Sequence, residues 1–220
     1  MVSVERARRR APTPGAGKSR HVRQTLLHWS RDRRVQLGLL VLAGVLLIGS
    51  IFLPYWDITL HAPQYPGGLT VSAYVHDMVG EIREVDELNH YIGMMPLDEA
   101  AEHERDLAVF AIPVVAGLVV ASFWVHGRWK WLMVLPILIY PFAFLGDLWI
   151  WLYHAGHSLD PTAALSSSIK PFTPHVFGTG KIGQFSTEAR FALGFYMAFL
   201  AALLTLVATL FARAGHHARP

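Results

Sequence analysis

Trp131-Leu-Met-Val-Leu-Pro136-Ile-Leu-Ile-Tyr-Pro141-Phe-Ala-Phe-Leu-Gly-Asp147-Leu-Trp-Ile-Trp-Leu152 decides the fold. Asp147 is the single charged side chain in these 22 residues. A helix needs roughly 20 apolar residues to cross the hydrocarbon core of a bilayer. Lipid offers no partner to backbone N–H and C=O groups, so a helix is the economical spanning form. Three more runs match this one in kind, over residues 35–53, 107–125 and 191–211. The expectation is an all-α membrane protein, a four-transmembrane-helix bundle with spans at 35–53, 107–125, 131–152 and 191–211. The link 126–130 is so short that the second and third spans must form an antiparallel hairpin.

Charge orients the spans. Residues 1–34 carry ten Lys/Arg against Glu5 and Asp32, residues 126–130 hold Arg128 and Lys130, and the tail 212–220 holds Arg213 and Arg219. Basic loops stay on the cytoplasmic side, which puts both termini inside, as in a multi-pass protein of the bacterial inner membrane. Two extracytoplasmic loops follow, 54–106 and 153–190. The first holds eleven acids against Arg83 and Arg105. The net charge of +3 thus averages a basic inside and an acidic outside. The basic arm is a topology signal, with no nucleic-acid partner implied. Residues 1–19, rich in Pro and Gly, read as disordered, and 22–34 as a basic surface helix. The first run is too long for a signal-peptide core, and Pro54-Tyr55-Trp56-Asp57 lacks a small-residue cleavage site. It is expected to remain as an anchor.

Within the first loop, Trp56-Asp-Ile-Thr-Leu-His-Ala62 and Leu69-Thr-Val-Ser-Ala-Tyr-Val75 flank Pro63-Gln-Tyr-Pro-Gly-Gly68. This predicts a small β-hairpin with a longer connecting loop. Alternation sets Ile58 and Leu60 on one face and Asp57, Thr59 and His61 on the other. Residues 97–106 read as a helix start leading into the second span. Its acids Asp98, Glu99, Glu102, Glu104 and Asp106 suit the positive end of the helix dipole.

The chain has no cysteine, which removes disulfides, thiolate metal sites and iron–sulfur clusters. None of the four apolar cores contains histidine, so bis-histidine haem is not expected. No nucleotide, zinc-protease or serine-hydrolase motif is present. The chemistry-bearing residues gather in the loops. Asp147 and His154 are seven apart and share a helix face, with His157 a turn beyond His154 and Asp160 just past it. This spacing fits a metal site, an aspartate that orients an imidazole, or a proton relay. It also fits an aspartate bonded to a neighbouring tyrosine or tryptophan beneath interfacial histidines. His90 and Met94 form a second group, and imidazole with thioether suits Cu(I); packing against the bilayer surface would equally account for Met94. Folding of the first loop over the second would bring His90 and Met94 to His154 and His157.

Tyr55-Trp56-x-Ile58-Thr59-Leu60-x-Ala62-Pro63-Gln64-Tyr65-Pro66-x-Gly68-Leu69, then Leu88-Asn89-His90-Tyr91-Ile92-Gly93-Met94, then Asp147 with Tyr153-x-x-Gly156-His157-x-Leu159-Asp160-Pro161, resembles a family of small bacterial polytopic membrane proteins. That family is associated with gene clusters for copper enzymes, chiefly nitrous oxide reductase and its maturation proteins (the NosB/NosL neighbourhood). The resemblance covers residues 55–185 and excludes the basic arm. It implies copper as cofactor or cargo and a membrane or extracytoplasmic copper protein as partner. Relatives carry a methionine in the segment where this chain has Ser168-Ile-Lys-Pro-Phe-Thr-Pro-His175, leaving His175 as its substitute. The candidate metal set is therefore His90, Met94, Asp147, His154, His157, Asp160 and His175. Three functions compete: an accessory protein that handles copper or scaffolds assembly without a catalytic step, a structural subunit of a larger membrane complex, and a membrane metalloenzyme or redox subunit.

Overall fold

The computed structural model describes residues 33–97, 100–165, 170–182 and 185–216. The disordered stretch expected over 1–19, most of the surface helix expected over 22–34, and Asp98 and Glu99 lie outside the described residues. The chain runs α1 (Arg33–Ser50), β1 (Trp56–Ala62), β2 (Tyr65–Ala73), β3 (Met78–Gly80), α2 (Ile82–Ile92), α3 (Glu102–Ala121), α4 (Arg128–His157), β4 (Gly178–Ile182), β5 (Phe185–Phe191) and α5 (Leu193–His216).

Two expectations are corrected. The fold is not an all-α four-helix bundle. Five helices share the described residues with a five-stranded antiparallel sheet of order β3-β2-β1-β5-β4, a mixed α/β architecture. The expected hairpin is present, but tighter: Ala62 pairs with Tyr65, so the turn is Pro63-Gln64. Its other edge is extended by β5, which pairs Trp56 with Phe191 and Asp57 with Arg190. The second long connection thus completes a sheet begun by the first.

The count of spans is also corrected. Three helices, α1, α4 and α5, are long and apolar enough to cross a membrane. α3 is not among them, because Glu102, Glu104, Arg105 and Asp106 occupy its start. Its apolar part, 107–121, is about 22 Å long at 1.5 Å per residue, short of a hydrocarbon core of roughly 30 Å. Residues 122–125, part of the expected span, have already left the helix.

α1, α3, α4 and α5 pack as a bundle, with α1 and α5 in the most extensive contact. Ala43 and Gly44 of α1 and Ala198, Ala201 and Ala202 of α5 are buried. Such small side chains let helix axes approach closely without needing a hydrophobic drive. On α4 the bundle-facing stripe is Lys130, Val134, Ile137 and Pro141, while Leu132, Leu135, Ile139 and Phe142 are exposed.

The sheet has its own core. Val85, Leu88, Asn89 and Ile92 form the buried stripe of α2, spaced as one helical face. They pack with Ala62, Leu69, Val71 and Phe185, backed by Ile58 and Leu60. Each such aliphatic side chain contributes about 1.5–3 kcal/mol when fully buried. The opposite sheet face is polar: Thr59 bonds Thr70 at 3.0 Å, and Asp57 accepts from Ser72 at 2.7 Å and Arg190 at 3.1 Å.

Sheet and bundle meet at Tyr55. Its amide donates to Ala73 O, its carbonyl accepts from Ala192, and Gly194 donates to Pro54 O. Its ring is wholly buried. A column of rings continues from it, through Phe144 at 5.0 Å, then Phe195, Phe191 and Phe177.

Candidate functional site

The loops carrying the candidate residues do meet, at the sheet end of the bundle. α2 ends on Gly93, whose φ of 82° is the left-handed conformation that closes a helix. Its carbonyl accepts from Asp160 N at 2.8 Å, and Tyr91 O accepts from Leu165 N at 2.9 Å. A Cβ on Gly93 would stand 2.8 Å from both Asp160 N and Asp160 O. Gly156 plays the matching part on α4. Its carbonyl accepts from Phe172 N, and a Cβ there would collide with the Phe172 carbonyl oxygen.

Around this junction the seven residues fall into separate groups. His90 lies in the last turn of α2, exposed, and acts electrostatically on Asp160. The Asp160 carboxylate accepts from Thr162 N at 2.8 Å and Thr162 Oγ1 at 2.7 Å. These bonds hold it below the usual carboxylate range, with His90 assisting. Met94 is half-buried and packs on the sheet core, so its thioether is used as apolar filling. His175 is exposed and lies beside Gly180 and Thr187 of the outer ladder. Asp147 is half-buried on α4, with Glu104 of α3 as the acid acting on it. Among the described residues no hydrogen bond reaches its carboxylate, so neither a tyrosine nor a tryptophan partner is seen.

His154 and His157 form the most chemically defined group. Both sit in the last turn of α4 and are exposed. His154 Nδ1 lies 2.8 Å from Ile150 O, and His157 Nδ1 lies 3.0 Å from Tyr153 O. A carbonyl oxygen can only accept, so each Nδ1 carries the proton. In the neutral imidazole each Nε2 is then a lone-pair donor, the tautomer that metal-binding histidines adopt. The His157 ring also stacks on Tyr153 at 4.0 Å, and Tyr153 on Trp149 at 5.6 Å. Among the described residues no three His, Asp or Glu side chains are grouped to hold a metal ion. The seven candidates thus do not gather, among the described residues, into one closed centre.

Sequence reasoning passed over the Tyr55–Tyr140 pair. Ser50 Oγ donates to Leu47 O at 2.6 Å and contacts Tyr55 Oη at 2.6 Å, while Tyr140 donates to Tyr55 at 3.2 Å. With its own proton committed to Leu47, Ser50 accepts from Tyr55. The hydroxyls form a one-way chain from Tyr140 to Leu47. A tyrosine directly after the first span and another within the third were the available signal.

No family model, curated protein or solved structure matches this chain.

Proposed function

We propose that this chain is a membrane-anchored accessory protein, with no catalytic step of its own. It handles copper for, or scaffolds assembly of, an extracytoplasmic copper enzyme in the bacterial inner membrane. The observation that carries this reading is the Nδ1 bonding of both His154 and His157 at the exposed end of α4, which in the neutral imidazole leaves each Nε2 as a lone-pair donor. Two imidazoles give an incomplete shell, which suits cargo that is passed on, and Cu(I) accepts low coordination. The resemblance of residues 55–185 to proteins from copper-enzyme gene clusters supports the same cargo. The basic arm before α1 supports the N-terminal side of α1 being cytoplasmic.

The test is metal content by mass spectrometry of protein purified without a His-tag after copper loading, beside His154→Ala/His157→Ala. Near-stoichiometric copper in the wild type, lost in the double variant, is expected. Wild-type protein without copper overturns the reading. A structural subunit of a larger membrane complex is the second reading. It is favoured by the exposed Trp149–Tyr153–His157 stack, a rigid aromatic surface of the kind interfaces use. A metal-free protein that co-purifies with one partner would establish it.

A further inference from the structure

At the end of the bundle away from the sheet, Lys130 lies on the inward stripe of α4 and is only 8% exposed. Among the described residues its ammonium has no hydrogen-bond partner and no acidic neighbour; the charge acting on it is another cation, Arg33 of α1. A partly desolvated ammonium with no acid nearby favours an anion that can reach it. No acid lies anywhere in 33–56, 107–146 or 189–220. The 34-residue arm is itself strongly basic, with ten Lys/Arg against Glu5 and Asp32.

Other features of this end also call for an anion. α4 begins after Gly127 with no side-chain cap hydrogen bond, so its first amides lack a side-chain acceptor. The Arg33 guanidinium is held over the Phe123 ring at 5.0 Å, and that of Arg128 over Trp129 at 5.6 Å. Trp129, next to Lys130 in the chain and 60% exposed, adds apolar surface at this end.

We propose that Lys130, Arg33 and the N-terminus of α4 bind the phosphate of an anionic phospholipid, with Trp129 against its glycerol and acyl region. Basic pockets between membrane helices take such headgroups. A phosphate there neutralises both cations and caps the helix. The apolar flank favours a lipid over a free phosphate ion. The site is separate from the histidines at the sheet end and rests only on the helices crossing a bilayer.

The experiment uses full-length protein in nanodiscs of phosphatidylcholine, with and without phosphatidylglycerol. It reads thermal unfolding by tryptophan fluorescence and retained lipid by native mass spectrometry. Phosphatidylglycerol should raise the midpoint and leave one retained lipid. Lys130→Met and Arg33→Gln should each remove more than half of that shift and the retained lipid, while Arg83→Gln at the sheet end changes neither. Lys130→Met should be no less stable than wild type in pure phosphatidylcholine, which separates lost binding from misfolding. Equal shifts in wild type and both variants would overturn the site. So would a full shift from inorganic phosphate in phosphatidylcholine discs, which would show an ion and not a lipid. A wild type indifferent to phosphatidylglycerol, gaining a response in Asp32→Asn, would show that the chain's own arm fills the site.

Discussion

Asp160 donates its amide to Gly93 at 2.8 Å, and this bond ties the connection between α1 and α3 to the connection between α4 and α5. Gly93 is needed twice over, for its φ of 82° and for the close approach of Asp160. Gly93→Ala should lower stability by about 1–3 kcal/mol, the range for a left-handed strain joined to a backbone clash. Faster proteolysis at 158–165 with an intact bundle would accompany it. An unchanged unfolding midpoint and digestion pattern would show that the junction does not depend on this approach.

The neighbouring turn should respond to acid. The Asp160 carboxyl lies below its ordinary value of 3.8 because Thr162 N and Oγ1 donate to it. A depressed value means the unfolded chain takes up the proton first. The ionised turn is therefore complete above about pH 4 and is lost as pH falls through the lower folded value. The Thr162 amide shift, followed from pH 6 down to roughly pH 2, should report one titration, absent in Asp160→Asn. A flat profile in the wild type would refute the bonding.

Tyr55 should be the most sensitive position at the joint between sheet and bundle. Tyr55→Phe keeps the ring contact with Phe144 but removes the partner of Tyr140 and a donor to Ser50. Leaving buried polar groups unmatched costs about 1–3 kcal/mol. Burial also pushes the Tyr55 phenol above its ordinary value of 10.0. A raised value makes its share of stability complete below about pH 10 and lost as pH rises through the folded value. Thermal scans from neutral to alkaline pH should show a steeper alkaline loss in wild type than in Tyr55→Phe. Identical slopes would place the alkaline transition elsewhere.

The hairpin was legible because local signals agree there: β-rich runs, a Pro/Gly turn, and alternation setting Ile58 and Leu60 against Asp57 and Thr59. The ladder of β4 and β5 carries a similar alternation, with Phe185, Thr187 and Ala189 buried and Ser186, Glu188 and Arg190 exposed. It was missed because its partner, β1, is more than a hundred residues away, and no local pattern announces pairing at that distance. The second apolar run was misjudged for a different reason. Its hydropathy continues to Val125, but the helix stops at Ala121. Sequence spacing set His154 and His157 at one helix end; it did not show that Met94 turns into the sheet core or that His175 lies apart with Thr187.

Asp57 and Arg190 should contribute unequally although they share one ion pair. The Asp57 side chain is 12% exposed and that of Arg190 is 68% exposed. Asp57→Ala leaves both Ser72 and Arg190 without their acceptor, whereas Arg190→Ala leaves Asp57 its bond from Ser72. Solvent screens the exposed partner, so Arg190→Ala should cost less than about 1 kcal/mol, and Asp57→Ala about 1–3 kcal/mol. Midpoints falling equally in the two variants would contradict this asymmetry.

The sheet makes a topological prediction that the chain is well suited to test. β1 pairs with β5, so both long connections must lie at one end of the bundle. The chain has no cysteine, and each introduced thiol is therefore the sole target of a maleimide. Glu84→Cys on α2 and Glu188→Cys on β5 are exposed or half-exposed positions of the two connections, and Arg128→Cys marks the opposite end. In sealed spheroplasts an impermeant maleimide should label the first two without lysis, and Arg128→Cys only after lysis. Among the described residues α1, α4 and α5 are the helices long and apolar enough to cross, and the side on which each label reacts reports where the ends of α3 lie. Labelling of Glu84→Cys and Glu188→Cys from opposite sides would be incompatible with the β1–β5 ladder, and with it the whole sheet.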